Sequence, residues 1–123
     1  MTQSLEDYLE AIYICQISRG EVRITDIAAE TGFSKPSVNR AVNTLKEGGF
    51  VEHEYYGKIR LTEKGERFAA NVYERHVTLK NFLKNQLGVD EKTAEEDACR
   101  MEHVMSEQTV KSLMKYIKTI ENS

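Results

Sequence analysis

The chain has 123 residues, 30% of them charged, with one proline, no tryptophan and a formal net charge of −3. That length allows one or two small domains with real cores and excludes a large catalytic fold. No stretch approaches the roughly 18 consecutive apolar residues that span a bilayer, and residues 1–10 lack a basic segment followed by an apolar run, which points to a cytoplasmic protein.

A first helix is expected from Ser4 to about Ser18, capped by Ser4 with Asp7 at the third helical position. Leu5, Tyr8, Leu9, Ile12 and Tyr13 repeat at helical spacing, and Asp7 and Glu10 fall off that stripe. Cys15 lies in the apolar run Ala11-Ile12-Tyr13-Ile14-Cys15 and reads as a buried structural thiol. With Cys99 it is one of two cysteines, and a reducing cytoplasm argues against a disulfide.

Arg19-Gly20-Glu21 forms a turn, Thr25 caps a short helix through Glu30, and Gly32 ends it. Ser34 then caps a third helix, Lys35 to about Glu47, with Pro36 near its start where a missing N–H costs little. Val38, Val42 and Leu45 are its buried face. Two helices about a glycine-bearing turn, the second opening on small polar and basic residues, form a helix-turn-helix. Gly48-Gly49 stops that helix, and a β-rich run, Phe50 to Tyr56, then Gly57 and Lys58-Ile59-Arg60-Leu61, reads as a hairpin wing.

Thr62 starts a helix of about 25 residues, with apolar Phe68, Val72, Leu79, Phe82, Leu83 and Leu87. Gly88 closes it. Asp90 caps a helix through Ala94, Ala98, Met101 and Val104, and Ser106 caps a last one bearing Val110, Leu113, Met114, Ile117 and Ile120. The expected fold is mostly α with a small β-hairpin wing: a winged helix-turn-helix over residues 1–61, then an all-helical dimerisation domain over residues 62–123.

Charge is unevenly distributed along this order. Residues 34–60 carry five bases against three acids, an excess of +2, and residues 90–107 carry seven acids against two bases, an excess of −5. The first region suits phosphates and the second suits cations. In the acidic region Cys99, Glu102 and His103 stand three and four residues apart, so one helix face presents thiolate, carboxylate and imidazole to a single ion. That mixed shell suits iron, cobalt, nickel or zinc and tolerates manganese. His76 on the long helix and Asp7 and Glu10 on the first add donors of the same kind, and gathering so many acids without a cation would be costly.

Several segments together resemble the iron- and manganese-dependent repressors of the diphtheria toxin repressor family. They are Ser4 to Tyr13, Ile24 to Ala28, Ser34 to Val38, Arg60 to Gly65, Arg75-His76 and Cys99 to Ser106. The resemblance covers nearly the whole chain. It implies a homodimer that binds double-stranded operator DNA when loaded with Mn²⁺ or Fe²⁺, with other divalent transition metals accepted in vitro, and that controls metal-uptake genes.

The family's metal positions fall on Asp7, Glu10, His76, Cys99, Glu102 and His103. Asp7 is similar to the manganese branch, where iron-type proteins have methionine. Cys99 matches the iron-type pattern, where the manganese branch commonly has a carboxylate bridging two ions. Lys80 and Glu95 differ from the iron-type ancillary ligands, so that second site is not carried over. In length the chain is similar to the manganese transport regulators, whereas iron-type members continue into a small β-barrel.

Lys35, Pro36, Ser37, Asn39 and Arg40 on the recognition helix, with Tyr56 and Lys58 on the wing, are the expected DNA contacts. No membrane and no small-molecule substrate are expected. Two rivals remain: a winged-helix regulator that senses an organic ligand or redox state through Cys99, and a small metallohydrolase. The second lacks an evident nucleophile, oxyanion-hole loop or general base.

Overall fold

The computed structural model describes residues 2–54 and 57–122. Six helices and one two-stranded antiparallel sheet follow in the order α1 (Gln3–Arg19), α2 (Ile24–Thr31), α3 (Lys35–Glu47), β1 (Val51–His53), β2 (Ile59–Leu61), α4 (Glu63–Asn85), α5 (Glu91–Val104) and α6 (Glu107–Glu121). The expected mostly helical fold with a hairpin wing is what forms. No helix among the described residues is long and apolar enough to cross a membrane.

The chain divides into two compact units, residues 1–71 and 72–123, and α4 supplies turns to both. In the first unit α1, α2 and α3 enclose one core with Leu9, Ile12, Ile27, Val38, Val42 and Leu45 at 0% exposure. The inward positions of α3 repeat three and four apart, as its sequence pattern required. Cys15 is part of this core, and burial, with smaller contributions from Glu30 and Asp26, pushes its thiol pKa up. That is the environment of an inert structural cysteine.

Ser34 caps α3, its Oγ accepting from the Ser37 N–H at 3.3 Å, and Pro36 sits in the first turn. Two other caps differ from expectation. Thr2, not Ser4, caps α1, its hydroxyl accepting from the Leu5 N–H at 3.2 Å. Thr25 lies inside α2, because the Asp26 carboxylate reaches back to accept from the Arg23 N–H at 2.9 Å and so starts the helix earlier. A carboxylate near a helix start also gains from the positive end of the helix dipole, which a threonine hydroxyl does not.

The wing is shorter than the β-rich run suggested. Val51 pairs with Leu61, Glu52 with Arg60 and His53 with Ile59. Ile59 also donates its N–H to Val22 O at 2.8 Å, adding an isolated bridge to the segment before α2. Gly57, at φ 87°, takes the left-handed conformation of the connecting turn, where Glu54 donates to Lys58 O at 2.8 Å. Tyr55 and Tyr56 lie outside the described residues.

The start of α4 is fastened to the wing. The Thr62 N–H donates to Phe50 O at 3.0 Å and its hydroxyl to Gly49 O at 2.6 Å. Phe50 also meets Phe68 edge-on at 5.7 Å. This closeness requires glycine at 65, where a Cβ would stand 1.9 Å from the Phe50 carbonyl oxygen.

The second unit is built on Leu79 and Leu83 of α4, Ala94 and Ala98 of α5, and Ile117 of α6. Asp90 and Ser106 cap α5 and α6 as expected, accepting from Thr93 and Thr109. Two apolar residues of the expected helical patterns are on the surface: Leu87 is 60% exposed and Val104 is 76% exposed. Leu87 follows the end of α4, and Val104 is the last residue of α5. Helical periodicity places neither side chain beyond the last packed turn.

Gly65→Ala should destabilise the first unit by about 2 kcal/mol or more, because a backbone carbonyl cannot swing away as a side chain can. Urea denaturation measures this against Glu66→Ala, an exposed neighbour expected to change stability by less than about 0.5 kcal/mol. Equal midpoints for the two variants would contradict the close approach.

Candidate metal centre and nucleic-acid interface

Three side chains of the second unit converge. His76 of α4 and Cys99 and Glu102 of α5 each offer one donor atom, and the three atoms lie within 4.8 Å of one another. Spacing explains the α5 pair, since residues three apart share a helix face. His76 joins them because Leu79 and Leu83, farther along α4, pack in one core with Ala94 and Ala98 of α5.

The centre is dry and dense in ligand atoms. The Glu102 and His103 side chains are each 1% exposed and that of His76 is 10% exposed. Oε1 of Glu102 lies 3.7 Å from His76 Nδ1 and 3.3 Å from His103 Nε2. Neither oxygen of this carboxylate accepts a hydrogen bond among the described residues. A buried carboxylate left so is costly, on the order of 3–5 kcal/mol when its charge has no full partner. A divalent cation answers that need, and the donor set of thiolate, imidazole and carboxylate matches one.

His76 is held from its far side. Its Nε2–H donates to Glu95 Oε1 at 2.7 Å, while Glu95 Oε2 meets Lys80 Nζ at 3.1 Å. Burial acts to raise the Glu95 pKa, but hydrogen bonds from His76 and Lys80 outweigh it and hold the carboxyl below the usual range. Its hydrogen bond to Glu95 correspondingly pushes the Lys80 ammonium up. Glu95, set aside as an ancillary ligand, was not among the expected site residues. Its spacing carried the signal, because positions 95, 99 and 102 are four and three apart on one helix face.

Asp7 and Glu10 lie on α1 in the first unit, both half-buried, beside the inward Tyr8, Leu9 and Ala11.

On α3 the expected DNA contacts form an outer face. Lys35, Pro36, Asn39 and Arg40 are exposed, Ser37 is half-buried, and Val38, Ala41, Val42 and Leu45 turn inward. Arg40 donates to Ser37 Oγ at 3.3 Å, which aims its guanidinium along the start of the helix. The first turn has no acidic residue, so nothing there opposes an approaching phosphate. Asn43, exposed and four residues past Asn39, continues the same face and was not singled out from sequence. On the wing, Lys58 pairs with Glu21 at 2.8 Å, and this bond with Lys58 lowers the Glu21 pKa. Surface pairs of this kind contribute little and exchange readily for a phosphate. Tyr56 lies outside the described residues.

A winged helix-turn-helix continued by α4 into a helical unit with a buried imidazole, thiol and carboxylate defines a metal-responsive DNA-binding protein. Comparison with known proteins agrees at both ends of the chain. The iron dependent repressor N-terminal DNA binding domain matches residues 1–59, and the iron dependent repressor metal binding and dimerisation domain matches residues 62–123. The chain belongs to the iron-dependent repressor family, a family of transcriptional repressors and not of enzymes.

It is 36% identical to an uncharacterised HTH-type transcriptional regulator of Methanocaldococcus jannaschii, covering 99% of this chain and 98% of that protein. It is also 31% identical to the HTH-type transcriptional regulator MntR of Lysinibacillus sphaericus, over 99% of this chain and 87% of that one. Among solved structures, a manganese-dependent transcriptional repressor in complex with manganese superposes with a TM-score of 0.79 at 31% identity, covering 94% of this chain. The chain spans about half of that structure's length, 51%.

Replacing Glu102 by Met should leave metal-free protein at least as stable as the parent, since an unsatisfied buried acceptor gives way to an apolar group. The same variant should lose the stabilisation that saturating Mn²⁺ confers, about 2.7 kcal/mol at a hundredfold excess over Kd. Thermal melts with and without Mn²⁺ measure both. A metal-free variant much less stable than its parent would mean that the carboxylate is already satisfied.

Proposed function

We propose that this chain is a cytoplasmic, metal-activated repressor that binds operator DNA as a homodimer and controls metal-uptake genes, with Mn²⁺ or Fe²⁺ as the activating ion. The observation that carries this reading is the buried Glu102 carboxylate beside His76, Cys99 and His103, in a chain whose other unit is a winged helix. The relatives named MntR and the manganese-bound repressor favour manganese. Cys99 supplies a softer donor that also suits iron or other divalent transition metals.

In this reading residues 1–61 read DNA and residues 62–123 hold the ion and dimerise. His76, Cys99, Glu102 and His103 hold the metal. Asp7 and Glu10 are added as ligands on the resemblance and on their carboxylate chemistry alone. The bound ion supplies fixed positive charge that neutralises the carboxylates. Lys35, Pro36, Ser37, Asn39 and Arg40 enter or flank the major groove, and Lys58 and Tyr56 contact the backbone from the wing. A dimer presents two recognition helices to half-sites about one DNA turn apart, roughly 34 Å, and metal lowers the ordering cost of that arrangement.

Gel-shift titrations test the division of labour. DNA affinity should fall on adding chelator and fall with rising salt. Glu102→Ala and His103→Ala should lose the metal response, while Lys35→Ala and Arg40→Ala should lose DNA binding with metal affinity kept. Affinity indifferent to chelator would rule out metal activation, and equal damage to both properties by both pairs would rule out the two-module division.

A further inference from the structure

We infer that Glu95 is a positioning residue for the metal centre: it fixes the His76 ring with Nδ1 toward Cys99 and Glu102, and Lys80 holds Glu95 in place. This inference rests on the metal-centre reading and adds to it two residues that donate nothing to the ion.

Glu95 is an acid close to a cation-binding cluster, so its first interpretation is as one more ligand. The geometry argues otherwise. One of its oxygens accepts from His76 Nε2–H at 2.7 Å and the other meets Lys80 Nζ at 3.1 Å. Lys80 lies 3.6 Å from Glu91 as well, and Glu91 meets Lys84 at 3.7 Å, so the acids and bases alternate away from the centre. Glu95 meets the ring at Nε2, while the donors of Cys99 and Glu102 gather with His76 and Glu102 Oε1 lies 3.7 Å from Nδ1, so Glu95 stands behind the ring rather than among the donors.

The imidazole gains what a ligand requires. A carboxylate can only accept, so the hydrogen bond places the ring proton on Nε2 and leaves the Nδ1 lone pair of the neutral ring directed to the cluster. A carboxylate behind a ligating histidine fixes its tautomer and orientation and raises its basicity. Lys80, 3.1 Å from the other oxygen, holds this carboxylate against the ring.

Magnitudes separate this role from a merely structural ion pair. The Glu95 side chain is 50% exposed, so its pairing contributes little to folding. Loss of a partner behind a metal ligand typically weakens metal binding by about 10–100-fold. The inference therefore expects a large effect on affinity with a small effect on stability.

The test uses full-length protein and Mn²⁺, with free ion counted by electron paramagnetic resonance, and Co²⁺ as a spectroscopic probe. Glu95→Ala should weaken Mn²⁺ binding by about 10–100-fold while the thermal midpoint of metal-free protein moves little. Glu95→Gln should recover most of that loss, because its amide oxygen still accepts from Nε2–H. Lys80→Met should fall between the two.

The ¹⁵N shifts of the His76 ring should report the Nε2-protonated tautomer in the parent and a mixture in Glu95→Ala. The Co²⁺ thiolate charge-transfer band and coordination number should be the same in both. Unchanged affinity and tautomer in Glu95→Ala would overturn the inference, as would a lower Co²⁺ coordination number, which would make Glu95 a ligand. If the parent itself bound neither ion, the metal-centre reading would fall first.

Discussion

Glu102 sits on the one α5 face that serves both packing and chemistry. Its neighbours on that helix, Ala94 and Ala98, are small enough to let α5 close against Leu79 and Leu83 of α4, and this closure takes the carboxylate out of water. Two alanines at 0% exposure are poor sources of apolar burial, so the unit gives up core volume to bring its donors together. The loss of solvation at Glu102 is the cost of that arrangement. A divalent cation held among Glu102, His76 and Cys99, as proposed above, would offset it, and metal occupancy would then be linked to the stability of this unit.

The first unit meets a different constraint. A chain with net charge −3 repels DNA on average, and it resolves the conflict by position. Lys35, Arg40 and Lys46 lie on exposed α3, the acids Glu91, Glu95, Glu96 and Asp97 lie on α5, and Lys58 and Arg60 are held on the wing by Glu21 and Glu54. Polar residues face outward on α3 because Val38, Val42 and Leu45 are committed to the core. The Gly65 contact with Phe50 then fixes the wing against the start of α4, so the hairpin and that helix end are placed together.

Much of this was legible in the sequence because the strongest local signals agree with the tertiary solution. Ser34, Asp90 and Ser106 cap where expected, and periodicity located the inward faces of α1, α3 and α6. The misses have physical causes. Thr2 and Asp26 won the caps of α1 and α2 because a hydroxyl or carboxylate one or two residues away satisfied the helix start. Leu87 and Val104 continue a periodic pattern past the point where a partner exists. At the site, Cys99, Glu102 and His76 were legible from ligand type and spacing. The spacing of Glu95 put it on the same helix face, but which histidine nitrogen it meets is settled only by three-dimensional contact between α4 and α5.

The central claim is that the ion bound at this centre and the DNA bound by the winged helix are coupled, and coupling is reciprocal. The most direct measurement is Mn²⁺ affinity with and without a duplex selected from a random-sequence pool for binding to the metal-loaded protein. DNA should tighten Mn²⁺ binding by the same factor by which saturating Mn²⁺ tightens DNA binding. Mn²⁺ affinity unchanged by saturating duplex would contradict the account.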